Sequence, residues 1–321
     1  MKDTLLIELG TEELPPKSLK KLATIFFEQI TAQLENADLA FEKATWFATP
    51  RRLAIKVNGL DEKQQDKEIE KRGPAVNVAF NEAGEPSKAA LGWARSNGIT
   101  IEQAQRLKTD KGEWLLHKAI QTGQTLEMLI PEMVNTALNK LPIPKPMRWG
   151  SERIQFIRPV HTLTLMYGDK VINGETLGVS SNNLLQGHRF HHEGLVTLTH
   201  ADHYEATLKE AFVIVDYQER QQIIKEQIKN AEQSLSAVAL IDQELLDEVT
   251  ALVEWPVTLI GSFDEEFLQV PAEPLIYSMK DHQKYFPVND QQGKLINKFI
   301  FVANIESKEP EKVIFGNEKV I

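Results

Sequence analysis

The sequence predicts an α+β fold, with mixed or antiparallel sheets and helices packed on them. Three patterns carry this expectation. Leu5–Leu9 is an apolar run broken only by Glu8, which suits a short buried strand. Leu19, Leu22, Ile25, Phe26, Ile30 and Leu34 then fall on one stripe at helical spacing. Near the other end, Phe286–Val288 and Leu295–Asn304 flank the turn Asn289–Gly293 as a hairpin.

Taken in order, the chain turns at Gly10-Thr11, and Pro15-Pro16 lead into a helix over Lys17–Leu34. Thr45–Val57 returns as one extended segment, with Pro50 marking an edge or a bend. Asp61–Arg72 alternates charges of both signs and reads as an exposed loop or a short solvated helix ended by Gly73-Pro74. Ser87–Ser96 reads as a short helix with Leu91 and Ala94 inward, and Trp114–Ile120 as a strand. Leu126, Leu129, Ile130, Met133, Val134, Ala137 and Leu138 keep a helical period through Thr125–Leu141, which Pro142, Pro144 and Pro146 stop. That proline-rich stretch is the expected domain boundary, giving regions 1–141 and 142–321. Strands follow over Ile154–Tyr167 and Val171–Val179, then a helix over Asp202–Phe212. Asp216 with Glu219 forms a capping-box arrangement, and Asp242 caps a helix to Val253 that Trp255-Pro256 breaks. Val257–Ile260 is a short strand, and Pro274 opens a helix through Lys284.

The chain has 321 residues, is 42% hydrophobic and 26% charged, and carries a net charge of −10. These are values of an ordinary water-soluble globular protein. The charge argues against non-specific nucleic-acid binding by the whole surface, though not against a local basic patch. With no cysteine there is no disulfide, thiolate metal site or thiol nucleophile, which suits a cytoplasmic setting. No apolar run reaches the roughly 20 residues that span a bilayer. The terminal GNEKVI carries no stop signal and reads as a chain cut off.

Several clusters have residue types that can do chemistry. Lys140, Lys145, Arg148, Arg153 and Arg158 stand against one acid, Glu152, as a basic patch or as a solvated loop. Pro50-Arg51-Arg52 offers guanidinium groups suited to phosphate. Strand alternation sends the two arginines to opposite faces, so one serves a site while the other pairs with a carboxylate such as Glu8 or Glu12. Five of the eight histidines lie between residues 188 and 203. If residues 188–192 are extended, His188 and His192 share a face and could hold a metal; otherwise they form a polar strand edge. No recognised ligand set is present, and no metal is expected. Around Asp281–Tyr285, Lys280 and Lys284 share a helix face and suit phosphate, while Tyr285 suits stacking on a base or closing a hydrogen bond. The alternative is a helix C-terminus with favourable cations. His282 lies on another face beside Leu275 and Met279. No phosphate loop, dinucleotide fingerprint or nucleophile elbow occurs, nor any signature of a class I or class II synthetase core.

An ordered series of windows nonetheless resembles one family. LLIELGTEELPP opens the chain, followed by ATWFATPRRLAIKV, Arg72-Gly73-Pro74, Met147-Arg148-Trp149-Gly150 and FIRPVHTL. GHRF, LVEWPVTLIGSFDEEFL, MKDHQKYFPV and FIFVANI complete it. The series resembles the N-terminal portion of the β subunit of bacterial heterotetrameric glycine–tRNA ligase. The resemblance implies a protein that supports ATP-dependent attachment of glycine to tRNA(Gly) without holding the catalytic site. The catalytic α subunit would use ATP and Mg2+, so no cofactor and no catalytic residue is expected in this chain, nor aminoacylation by it alone. Implied partners are tRNA and the α subunit, in a heterotetramer of two α and two β subunits, with no membrane. The second half is implied to be similar to the B3/B4 domain of the phenylalanine–tRNA ligase β subunit. An HD-like domain and an anticodon-binding domain would lie outside this chain. Arg51 or Arg52, Arg148, Arg153, Arg158, Lys280, Lys284 and Tyr285 become expected tRNA contacts, and His188, His192 and His282 expected pocket residues. Competing readings are an aminoacyl-ester hydrolase built on the His188–His192 region and a purely structural assembly module.

Overall fold

The computed structural model describes residues 2–150 and 153–321, and their contacts fall into two compact units, residues 1–62 with 126–321, and residues 63–125. Glu152, the one acid expected in the basic stretch, lies outside the described residues.

The larger unit is built around β1 (Lys2–Thr11), which lies in the middle of a seven-stranded sheet. It pairs antiparallel with β3 (Arg52–Asp61) on one side and β9 (Val160–Tyr167) on the other, so that Leu9 faces both Leu53 and Leu163. Beyond β3 lies β2 (Lys43–Thr49). Beyond β9 lie β12 (Val179–Asn182), the one parallel partner, and β11 (Glu175–Thr176), with β10 (Lys170–Val171) attached to β9. The expected single segment Thr45–Val57 is therefore a hairpin, because Pro50 and Arg51 form the turn between two strands in register.

β1 is apolar on consecutive residues because both its faces are covered. Leu5, Ile7 and Leu9 pack on α1 (Pro16–Asn36) and α4 (Leu126–Asn139), through Leu19, Leu22, Phe26, Ile30, Val134 and Leu138. Leu6 faces the opposite side with Phe47, Ala54 and Met166, under Tyr204 and Leu208 of α5 (Tyr204–Glu210). Each such fully buried apolar side chain contributes about 1.5–3 kcal/mol. Gly10 is where β9 comes closest: a Cβ there would stand 2.1 Å from Thr162 Oγ1. Gly10→Ala is expected to destabilise the unit by about 1–3 kcal/mol in urea melts, as overpacking does. Adding Thr162→Ala should recover most of that loss.

The same unit carries a four-stranded antiparallel sheet in the order β15 (Val238–Ala239), β17 (Phe286–Asn289), β18 (Leu295–Ala303) and β16 (Val257–Ser262). Along β18, Ile296, Ile300 and Val302 pack towards α6 (Tyr217–Leu235) and α7 (Gln243–Thr250). Phe299 and Phe301 turn to the other face with Phe263, Met279 and Tyr285. Asp216 caps α6 by accepting from Glu219 N, and Asp242 caps α7 by accepting from Leu245 N. The expected helix from Pro274 begins earlier, as α8 (Ala272–Tyr277), and widens into a π-turn over Ser278–Gln283 that ends at Lys284 with φ 62°. Two short hairpins, β7 (Met147–Arg148) with β8 (Gln155–Phe156) and β13 (Leu184–Gln186) with β14 (Leu195–Thr197), and the terminal α9 (Pro310–Glu318) complete the unit.

The smaller unit is a three-stranded antiparallel sheet, β4 (Lys67–Ala75), β6 (Gly112–Gln121) and β5 (Gln105–Thr109), in that order. α2 (Val76–Ala79) and α3 (Lys88–Ser96) supply Ala79 and Ala90 to a small core around Leu115. Two expectations change here. Of the charged stretch Asp61–Arg72, residues 62–66 lie outside any strand as expected of a loop, whereas Lys67–Arg72 is strand, with Lys118 of β6 bridging Glu68 and Glu70 across the ladder. Leu91 is 45% exposed, and Ala90 and Ala94 form the inner face of α3. Contacts also divide the chain at 62/63 and 125/126 rather than at the prolines after Leu141, since β9 returns to pair with β1.

Candidate nucleic-acid interface

The residue types expected at a site separate into buried and exposed sets. Arg52 is fully buried on β3. Its Nη1 donates to Glu8 Oε2 at 3.2 Å, its Nη2 to Gln186 O at 2.7 Å and to Glu254 Oε1 at 3.3 Å, and its Nε to Thr49 Oγ1 at 3.1 Å. Tyr204 OH donates to Glu8 Oε2 at 2.5 Å, and Thr49 Oγ1 to Glu254 Oε1 at 2.6 Å. Burial drives the Glu8 carboxyl above its usual range against the pull of Arg52 and Tyr204. Burial also disfavours the Arg52 cation, but Glu8 and Glu254 outweigh it and hold the guanidinium charged. A second buried arginine, Arg220 of α6, donates to Thr250 O, Ile214 O and Ala48 O, and burial lowers it to about 10. Arg52 is thus an internal tie and not a phosphate contact, as the burial of its carboxylate partner Glu8 requires. Arg51, half-buried in the β2–β3 turn, accepts the Thr11 N–H on its carbonyl at 2.8 Å.

His188 belongs to the same buried region. The segment after β13 is a turn rather than a strand, with His192 N donating to His188 O at 3.0 Å. His188 Nδ1 accepts from Phe190 N and His191 N, both at 3.2 Å, so its proton sits on Nε2, 3.1 Å from Asn304 Oδ1. Asn304 Oδ1 also accepts from Glu254 N at 2.7 Å and Trp255 N at 3.1 Å. Both ring nitrogens of His188 are committed, leaving no lone pair for a metal or a substrate proton. His192 packs its ring over Gly187, while His282 stacks edge-on with Tyr277 at 5.4 Å, far along the chain. His188 and His192 thus meet through that backbone hydrogen bond, while His282 packs on Tyr277 instead. Asp3, His200 and Asp202 do cluster with metal-ligand types, but His200 Nδ1 accepts Asp202 N at 3.1 Å and Asp202 Oδ1 accepts Thr4 Oγ1 at 2.6 Å. Those bonds read as a helix cap.

Around α1 the remaining candidates lie at the surface. Arg158 donates Nε to Glu13 O at 2.8 Å and Nη1 to Ile157 O at 3.3 Å. Glu12 meets His161 Nε2 at 3.0 Å, and Glu13 meets Arg189 Nη1 at 2.7 Å. Arg148 and Arg153 are exposed, and neither is paired with a carboxylate among the described residues. Lys280 is held by Asp242, and Lys284 by Glu248 at 3.0 Å. Tyr285 is 5% exposed, stacked on Phe299 at 4.7 Å with its hydroxyl on Asn317 Oδ1. It is a core residue and cannot meet a base without unpacking, a correction that follows from the π-turn.

Sequence reasoning missed a cleft of about 710 Å3 between α1 and α7, lined by Lys17, Lys20, Lys21, Tyr217, Asp247 and Glu248 among others. Lysines at positions 17, 20 and 21 share a helix face, and that spacing was the available signal. A smaller hollow of about 180 Å3 joins Lys17 to Lys280 and Lys284. Arg158 thus bonds Glu13, and Lys280 and Lys284 share a hollow with Lys17, so both sets border residues 13–17. Burial raises Asp247, but Lys20, Gln221 and Gln243 outweigh it and hold the carboxyl below its usual range. Asp242 likewise sits low, with Lys280 and the Leu245 N–H overcoming burial. A depressed carboxyl contributes stability above its unfolded value and loses it as pH falls through the folded one. Urea melts should therefore weaken on acidification below about pH 4, and Asp247→Asn should flatten that dependence.

A family model described as glycyl-tRNA synthetase beta subunit matches residues 5–321. The chain belongs to this family. It is 68% identical over 319 residues to the glycine–tRNA ligase beta subunit of Colwellia psychrerythraea, covering 99% of this chain and 46% of that protein. It is 58% identical over 317 residues to the subunit of Pseudoalteromonas translucida, again covering 99% and 46%. The chain spans less than half the length of these relatives. Placed on the fold, the windows that mark the family are largely architectural. Glu8, Thr49 and Arg52, His188, Glu254 and Asn304 come from five of those windows and, with the Gln186 carbonyl, meet in one buried polar network. Among the described residues no helix is long and apolar enough to cross a membrane.

Proposed function

We propose that the chain is the portion of a glycine–tRNA ligase β subunit that binds tRNA(Gly) and assembles with the α subunit, in a heterotetramer of two α and two β subunits. On this reading ATP and Mg2+ act in the α subunit, and this chain supports the attachment of glycine by holding RNA and partner. The observation that carries the reading is the family match over residues 5–321. The second half is read as similar to the B3/B4 domain of the phenylalanine–tRNA ligase β subunit. The hydrolase reading lacks support, because His188 has no free ring nitrogen.

The tRNA contacts are assigned to Arg148 and Arg153, which pair with no carboxylate among the described residues, together with Arg158. Lys280 and Lys284 border the same segment but are largely balanced by Asp242 and Glu248. The test is binding of labelled tRNA(Gly) to this chain at two salt concentrations, with and without the α subunit. Salt-sensitive binding that the α subunit tightens is expected. A chain that captures the α subunit but shows no tRNA affinity in either condition would reduce the role to assembly.

A further inference from the structure

The smaller unit departs from the charge of the chain around it. Residues 63–125 hold ten Lys and Arg against eight Asp and Glu, while the whole chain holds 36 against 46. The unit is thus net positive by two charges in a chain of net charge −10, the sign that favours a polyanion.

Within this unit one helix face has no partner. α3 is fixed by its Ser87 cap, which accepts from Ala90 N, and by Ala90 and Ala94 on its inner side. Trp93 is anchored too, lying against Gly73, where a Cβ would come within 2.7 Å of its ring. The outer face presents Lys88, Leu91, Gly92 and Arg95, which fall together at helical spacing. Lys88 and Arg95 are exposed and neither forms an ion pair among the described residues, and Leu91 is 45% exposed. Gly92 is the telling residue. Glycine is among the poorest helix formers, and a Cβ there would meet nothing within 4 Å. No contact inside the chain requires it. A glycine of this kind leaves room for another backbone to come close.

We infer that the outer face of α3 is an RNA-docking face, with Gly92 admitting the sugar–phosphate backbone and Lys88 and Arg95 holding phosphates on either side. The two cations stand about 10 Å apart along the helix axis. RNA suits this face because its shallow groove is read through shape, phosphates and ribose hydroxyls rather than through a base code. The inference rests on the tRNA-binding reading and adds a second contact to it, separate from Arg148 and Arg153.

The experiment is a KCl titration of fluorescein-labelled tRNA(Gly) binding to the 321-residue chain. Wild type is compared with Gly92→Ala, Gly92→Leu, Lys88→Gln/Arg95→Gln and Arg148→Gln/Arg153→Gln, with a melting curve for each. Gly92→Ala should melt a few degrees higher and yet bind more weakly, a pairing that a merely structural glycine would not give. Gly92→Leu should weaken binding further. Lys88→Gln/Arg95→Gln should make the slope of log Kd against log salt shallower by about 1.4–1.8, at 0.7–0.9 per phosphate. If wild type binds and only the Arg148→Gln/Arg153→Gln slope changes, the α3 face is overturned while the tRNA reading stands. If wild type binds neither alone nor with the α subunit at about 50 mM KCl, where phosphate contacts are strong, both fail. Loss of α-subunit capture in Gly92→Leu with an unchanged tRNA Kd would overturn the inference in favour of a protein-facing helix.

Discussion

Replacing Arg52 with alanine is expected to lower the stability of the chain by about 3–5 kcal/mol, the range for removing one partner of a buried ion pair. The size follows from what is left behind. Glu8 and Glu254 would remain buried, at 0% and 1% exposure, with no cation between them. Gln186 O would lose this donor as well, and Thr49 Oγ1 would keep the Arg51 N–H at 3.3 Å but lose the guanidinium. Arg51→Ala, one residue away and half-buried at the turn, should stay within about 0.5 kcal/mol. The penalty should depend on pH. A carboxyl raised in the folded state contributes stability that is full below its unfolded value and is lost as pH rises through the folded one. Burial already raises Glu8, and removing Arg52 raises it further. Arg52→Ala should therefore be closest to wild type in acid and furthest from it at neutral pH. Urea melts at about pH 5 and pH 7 check this, and Glu8→Gln in the Arg52→Ala background should recover part of the loss.

Asn304→Leu is expected to cost on the order of 3 kcal/mol, at about 1 kcal/mol for each of three donors left without an acceptor. Glu254 N and Trp255 N can only donate, which fixes the Asn304 amide with Oδ1 towards them and makes His188 the third donor. The loss should be local first. Amide exchange ought to quicken at Glu254 and Trp255 and at Phe190 and His191, whose N–H groups depend on the position of the His188 ring. Asn304→Asp keeps an acceptor facing all three donors and is expected to retain most of the stability.

Much of this architecture is legible in the sequence. The stripe from Leu19 to Leu34, the caps Asp216 and Asp242 and the hairpin around Asn289–Gly293 are local patterns, and each forms the expected element. Alternation at Arg51-Arg52 also points to a carboxylate partner, and Glu8 is that partner because β1 and β3 are neighbours. The rest depends on contacts distant in sequence. β4 shows no apolar face, since its cross-strand ion pairs with Lys118 exist only once β6 is beside it. The ends of the smaller unit bear no proline or glycine mark at Glu62 and Leu126, where Leu126 N simply bonds Glu62 O at 3.2 Å. The expected stacking of Tyr285 on a base gives way because the π-turn and the left-handed Lys284 place its ring on Phe299. The cleft between α1 and α7 depends on the return of α7 to α1, which the spacing of Lys17, Lys20 and Lys21 does not reveal.

The family windows thus divide by depth. Their polar residues mostly tie strands and turns together inside the larger unit, and the cations proposed to meet RNA lie outside that network. The most direct measurement is the salt dependence of tRNA(Gly) binding by this chain with Arg148 and Arg153 both changed to glutamine. The slope of log Kd against log salt should become shallower by about 1.4–1.8, with the urea midpoint unchanged. An unaltered slope and Kd in a fully folded variant would contradict the assignment of RNA contact to that surface.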